Sequence, residues 1–128
     1  EWYLFSLCSS LKKINIPSSV NVIHHGAFNE CSSLSQIVIP SSVTKIERYV
    51  FYKCKSLEKI EIPSSVELIC ESAFFGCIAL SNVEIPSSVI SIEKDAFKEC
   101  TALKKIKIPY SVIEIGENAF SNTEVIRE

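Results

Sequence analysis

The sequence predicts an α/β repeat solenoid, rich in β structure: a right-handed coil of stacked rungs. A parallel sheet is expected on its concave side, with short extended, 3₁₀ or one-turn helical segments on the other. Three observations carry this expectation. The phrase Ile-Pro-Ser-Ser-Val stands at 16–20, 39–43, 62–66 and 85–89, and returns with one change, Tyr110, at 108–112; each copy follows the last by 23 residues. A fixed period of this size marks a repeat architecture. Apolar residues recur at the same phase, and one column, Phe28, Phe51, Phe74, Phe97 and Phe120, is unbroken, with Phe5 extending it backwards. Burying the apolar side chains of one rung falls short of the entropy lost in ordering it, so rungs must stack and share a core.

Cut at its leucines, the chain forms a single domain over 1–128 with full rungs 11–33, 34–56, 57–79, 80–102 and 103–125 and partial rungs at both ends. Each full rung opens on Leu-x-x-Ile-x-Ile, with valine for the first isoleucine at Val83. Alternation of β-branched residues with polar ones reads as a short, half-buried strand. The proline that follows cannot donate a ladder hydrogen bond and ends the strand. Ser-Ser then suits a turn in which hydroxyls satisfy loose backbone groups, and Val-x-x-Ile returns to the core as a second short extended piece. Ahead of the next Ala-Phe or Val-Phe pair stand Gly26, Ser72, Asp95 and Asn118, with Tyr49 the exception. These are favoured helix N-caps, so a single helical or 3₁₀ turn is expected around Ala-Phe-x-x-Cys.

The resulting template, Leu-x-x-Ile-x-Ile-Pro-Ser-Ser-Val-x-x-Ile-x-x-x-Ala-Phe-x-x-Cys-x-x, resembles the BspA-like class of leucine-rich repeats over nearly the whole chain. The resemblance implies a curved leucine-rich-repeat superhelix. It also implies a surface or secreted protein of the kind bacteria and some parasitic protists use in adhesion to host or matrix proteins. That functional implication is an analogy at the level of the fold.

Composition narrows the classes of function. Fifteen acidic and thirteen basic residues are interspersed, leaving a net charge of −2, which draws the chain to neither nucleic acid nor an anionic membrane. The longest apolar runs fall short of the roughly 18 residues a membrane helix needs. No basic leader opens the sequence, and a mature or excised fragment would look the same. No phosphate-binding loop, activated serine or paired catalytic carboxylates are recognisable, so no enzyme and no cofactor are expected.

Five of the six cysteines, Cys8, Cys31, Cys54, Cys77 and Cys100, share one column. Metal sites want clustered ligands, which this spacing does not supply, and side chains of adjacent parallel strands seldom meet the torsion of a disulfide. A buried thiol ladder beside the phenylalanines is expected instead. Cys70 stands in the column of His24, Glu47, Glu93 and Gly116, and is expected to face solvent as the most reactive thiol. His24 and His25 are likewise expected at the surface. The column His25, Arg48, Glu71, Lys94 and Glu117 alternates in sign over its last four members and suggests ion pairs between rungs.

The candidate binding residues are those that vary on the strand face: Lys13 and Asn15, Gln36 and Val38, Lys59 and Glu61, Asn82 and Glu84, Lys105 and Lys107. A protein partner is expected there, and Tyr52 with Phe75 offers a secondary aromatic contact. Neither end carries a recognisable cap. Phe5 and Cys8 stay in phase, so an earlier rung and a longer array are expected, with self-association through the open ends. At the other end Ser121-Asn122-Thr123 stands where x-x-Cys is usual, and Val125 is expected in the leucine slot one residue early. The alternative function is a structural or intracellular scaffold array without a dedicated ligand.

Overall fold

The computed structural model describes all residues, 1–128. Its elements are β1 (Lys13–Asn15), β2 (Gln36–Val38), β3 (Lys45–Ile46), β4 (Lys59–Glu61), β5 (Leu68–Ile69), β6 (Asn82–Glu84), β7 (Ser91–Ile92), β8 (Lys105–Ile108), β9 (Glu114–Ile115) and β10 (Glu124–Arg127). Every pairing is parallel, and identical phases lie side by side: Ile14 beside Ile37, Ile60 beside Val83, Ile46 beside Ile69, Ile92 beside Ile115. The rungs therefore stack in register, as the 23-residue period demands.

Two expectations about the secondary structure are corrected. The strands before the prolines do not form one continuous sheet. With β10, which takes their place in the last turn, they make three separate two-stranded ladders, β1-β2, β4-β6 and β8-β10, while the continuous four-stranded ladder, β3-β5-β7-β9, lies on the Val-x-x-Ile side. Each pre-proline strand is three or four residues long and runs into a residue with no N–H to give, so that side has few ladder bonds to lose. The fold is also a β-solenoid with no helix, so the α component of the expected class is absent.

The reason lies in the backbone around Ala-Phe-x-x-Cys. Gly26, Tyr49, Ser72, Asp95 and Asn118 are left-handed residues, at φ of +63°, +57°, +55°, +56° and +56°, rather than helix caps. A second left-handed column follows four residues later at Glu30, Lys53, Gly76, Glu99 and Asn122. Successive amides consequently point in alternate directions. The N–H groups of Gly26, Phe28 and Glu30 donate to the carbonyls of Arg48, Val50 and Tyr52 in the next rung, at 2.9, 3.0 and 2.7 Å. Those of Ala27, Asn29 and Cys31 donate back within the rung to His24, Gly26 and Phe28. A helical turn would keep all of these donors inside the rung, whereas the solenoid spends half of them on stacking. Glycine, asparagine, aspartate and serine suit these positions because they tolerate positive φ or bond locally; Tyr49 is held there by its neighbours.

The core is a set of one-residue columns. Phe51, Phe74 and Phe97 are fully buried, and the whole phenylalanine column from Phe5 to Phe120 stacks at centroid distances of 5.6, 5.8, 5.3, 4.9 and 5.2 Å with rings within 14° of parallel. Distances near 5 Å between near-parallel rings are those of offset stacking. Leu34, Leu57, Leu80 and Leu103 and the isoleucines and valines of the template surround it.

The Pro-Ser-Ser-Val turn closes with the valine N–H on the proline carbonyl, at 3.0 Å in the first four copies and 3.1 Å in the last. Its two serines do different work. The hydroxyls of the second serines Ser42, Ser65 and Ser88 donate to the carbonyls of Val20, Val43 and Val66 one rung back, at 2.6, 2.6 and 2.7 Å. The first serine of each pair is exposed, which is why Tyr110 is accommodated in that column.

The last turn departs from the period. Lys13 pairs with Gln36, 23 residues on, but Lys105 pairs with Glu124, 19 residues on. Asn122 keeps the left-handed phase, and Thr123 occupies the cysteine slot, its N–H on the Phe120 carbonyl as that of Cys31 is on Phe28. The next four residues of the template, leucine slot included, are skipped. Val125 thus lies beside Ile106, in the strand-isoleucine column, and not in the leucine slot. Arg127 donates to the Val112 carbonyl at 2.8 Å, the bond a serine makes in earlier rungs, and its guanidinium lies over the Tyr110 ring.

Candidate binding face

Period-two alternation places the candidate residues. In β4 and β6 the central Ile60 and Val83 are buried, and the flanking Lys59, Glu61, Asn82 and Glu84 are exposed. All ten predicted face residues project to solvent in two columns: Lys13, Gln36, Lys59, Asn82 and Lys105 in one, and Asn15, Val38, Glu61, Glu84 and Lys107 in the other. Three hollows follow this face along the coil. The largest, about 540 Å³, spans β1, β2 and β4, where the ladder between β2 and β4 is interrupted. Two smaller ones, of about 330 and 440 Å³, continue it over β4–β6 and β6–β8. Val38 is the apolar point on this polar strip, at 69% exposure.

Six of the ten residues are charged, and their neutralisation is uneven. Lys105 and Lys107 reach Glu124 and Glu128 at 4.0 and 3.0 Å. Lys13, Lys59, Glu61 and Glu84 have no ion-pair partner within the chain. Glu61 and Glu84 are moreover direct neighbours in the parallel register, a like-charged pair that costs stability.

The opposite side of the rungs contains a feature that sequence reasoning saw only in part. Tyr52 and Phe75 do stack, at 5.0 Å, but they end a longer aromatic run: Trp2 and Tyr3 both meet His25, at 6.0 and 5.3 Å, and His25 leads through Tyr49 to Tyr52 at 5.3 and 5.5 Å. Tyr52 and Phe75 are half-buried, with the ammonium groups of Lys53 and Lys98 over their rings. His25 is half-buried in this run, its Nε2 3.0 Å from the Tyr3 hydroxyl, so only His24 is fully at the surface as expected. The signal available in the sequence was the placing of Trp2, Tyr3, His25 and Tyr49 in adjoining columns. Gly26 lets the Tyr3 ring lie against the backbone, where a Cβ would collide with it. Of the alternating charges beside this run, Arg48 pairs with Glu71 at 3.7 Å and Lys94 with Glu117 at 3.6 Å.

The cysteines form the thiol ladder, with a refinement. Cys31, Cys54, Cys77 and Cys100 are buried, and their Sγ–H groups donate to the carbonyls of Phe5, Phe28, Phe51 and Phe74 at 3.0 to 3.2 Å. Burial raises the pKa of Cys31 to about 11 and of Cys100 to about 12, and pushes Cys54 and Cys77 up as well. Cys8 alone of the column is exposed. The expectation for Cys70 is overturned: it is buried at 4% exposure, and burial, reinforced by the Glu93 carboxylate, lifts its pKa to about 11. A thiol that stays protonated is a poor nucleophile. Its column neighbours Glu47 and Glu93 are themselves half-buried, so the column does not face solvent fully. No three His, Cys, Asp or Glu side chains converge as a metal would need, and no helix is long and apolar enough to cross a membrane.

Comparison with known proteins agrees with this architecture. A family model of the BspA type leucine rich repeat region, in six copies, matches residues 1–127. The chain is similar to a leucine-rich repeat protein of T. pallidum, with 29% identity and a TM-score of 0.81 over 99% of this chain and 62% of that one. A leucine-rich repeat protein from Bacteroides ovatus is 28% identical at a TM-score of 0.59, over 98% of this chain and 44% of that one. A leucine-rich cell surface protein from Faecalibacterium prausnitzii is 26% identical at 0.51, over 99% and 50%. The chain thus spans less than two thirds of the length of each of these structures. No curated protein matches it. Register, columns and family model converge: the chain belongs to the BspA-type leucine-rich repeat proteins.

Proposed function

We propose that the chain is a non-enzymatic recognition module of a surface or secreted protein, and that it binds a protein partner through its strand face in an adhesive role. The observation that carries this reading is the contrast between a core that repeats with few, conservative changes and ten exposed, changing side chains on one face, indented by three consecutive hollows. Leucine-rich repeats generally serve protein interaction, and one structural neighbour is described as a cell surface protein. The face residues supply ammonium, carboxylate and amide groups on a rigid scaffold, which limits the entropy lost on binding.

Purified host-surface and matrix proteins, arrayed and probed with the chain, test this. Gln36→Trp with Asn82→Trp obstructs the face whatever the partner's charge, and a bound partner is expected to weaken at least about tenfold, since such anchors cost 1–2 kcal/mol or more. Lys94→Ala on the opposite side should leave binding unchanged. Binding indifferent to the obstructed face would refute the reading. The competing role, a scaffold with no dedicated ligand, draws support from the six free thiols, which suit a reducing compartment. It predicts that no protein in the array is retained.

A further inference from the structure

We infer that the strand face receives an extended, polyproline-like polypeptide segment carrying two acidic residues three apart and a basic residue immediately after the second. This rests on the strand face being the partner-binding surface. The argument begins with the four charges the chain leaves without partners. Lys13 and Lys59 stand in one column two rungs apart; Glu61 and Glu84 stand in the other, one rung apart. Lys13, Lys59 and Glu61 line the 540 Å³ hollow, and Glu61 and Glu84 line the next one.

The spacing selects the conformation of the occupant. Lys13 and Lys59 are two rungs apart; at about 4.8 Å per paired strand that is about 10 Å along the coil, and a little more because β2 and β4 are unpaired. A β-strand rises about 3.3 Å per residue with side chains alternating, so same-side residues come at about 6.6 or 13 Å, and neither matches. A polyproline II helix rises about 3.1 Å per residue with three residues per turn, so residues i and i+3 share a side at about 9.3 Å. Acidic side chains at i and i+3 therefore meet Lys13 and Lys59. Residue i+4 lies between the levels of Glu61 and Glu84 and turns toward their column. An arginine there offers a planar fork able to engage both carboxylates and relieve their mutual repulsion. Residue i+1 shares the side of i+4 and lies between the levels of Asn15 and Val38, where the exposed Val38 suits a small apolar side chain. The solvated backbone of such a helix finds amides at Asn15, Gln36 and Asn82.

The probe is a synthetic heptapeptide reading proline, glutamate, valine, proline, glutamate, arginine, proline, compared with a scrambled isomer and with the same peptide in which the charges are exchanged. Binding is followed by titration calorimetry and amide chemical shifts at low and at physiological salt. The expected result is a preference of about tenfold over the scrambled isomer, as two or three exposed ion pairs supply. It weakens with salt, and shifts are confined to β1, β2, β4 and β6. The double variant Lys59→Glu with Glu61→Lys, both fully at the surface and checked for an unchanged melting temperature, should abolish the preference, because Lys13 and Glu84 still favour the original peptide while positions 59 and 61 favour the charge-exchanged one. Equal binding of all three peptides, binding of none, or an unaltered preference in the double variant would each overturn the inference. The broader reading is judged separately by the obstructing tryptophans, whose effect does not depend on charge.

Discussion

Replacing Ser65 with alanine removes the only hydrogen bond received by the carbonyl of Val43, since the Ser65 hydroxyl donates to it at 2.6 Å and no other donor reaches it. Val43 is fully buried, so no water takes over without disturbing the turn. Leaving a buried carbonyl unsatisfied costs about 1–2 kcal/mol. For a chain of this size that lowers the melting temperature by about 3–8 °C. Ser64, its immediate neighbour, is exposed and bonds to nothing in the chain, so Ser64→Ala should stay within about 0.5 kcal/mol of the parent. Ser64→Tyr, which copies what the chain itself has at Tyr110, should be equally silent. Thermal and urea unfolding followed by circular dichroism reads all three variants against the parent. Equal destabilisation by Ser64→Ala and Ser65→Ala would refute the division of labour between the two serines.

Alkaline conditions should unfold the chain through its thiols. Cys31, Cys54, Cys70, Cys77 and Cys100 hold their protons more tightly when folded, so stability is full below the ordinary thiol value of 9.0 and is lost as pH rises from there toward the folded values. Each contributes a loss of up to about 1.4 kcal/mol per pH unit over its own window. Melting temperatures from pH 7 to 10.5 should fall steeply above 9, and less steeply in Cys77→Ala; a flat profile across pH 9–10.5 would contradict the buried ladder. Phe74→Ala opens a hole between rings stacked at 5.3 and 4.9 Å and should cost about 3–5 kcal/mol in equilibrium unfolding. A loss under 1 kcal/mol would mean that the column does not hold the rungs together.

Much of the fold was legible because a repeat writes the same physics several times. One occurrence of Ile62 followed by a proline and two serines would be an ordinary strand end; four occurrences and a fifth with Tyr110, all at one spacing, assign every column a side. The face residues were legible for the same reason, since Lys59 and Glu61 flank an isoleucine that repeats. Three local readings failed because they treated a rung as if it stood alone. Ser72 and Asp95 are good helix caps in isolation, yet in the stack their backbone turns left-handed so that alternate amides reach the next rung. Cys70 shares a column with charged residues, but Glu47 and Glu93 are themselves half-buried in the stack and the thiol is buried with them. Val125 keeps an apolar residue near its expected number, yet the register that matters is the one it forms with Ile106.

By itself, then, the amino-acid sequence determined the rung, its period, its core columns and the two columns that face solvent, because hydrophobic periodicity is a local code read along the chain. The tertiary structure alone decided what passes between rungs: which amides cross, where the strand ladder breaks and opens a hollow, and which charges find partners. Lys105 is neutralised because the shortened last turn brings Glu124 beside it, and Lys59 is not, although the two occupy the same column. Ion pairs and ladder bonds depend on distances of a few ångströms between residues about 20 apart in sequence, and such distances exist only once the coil is stacked.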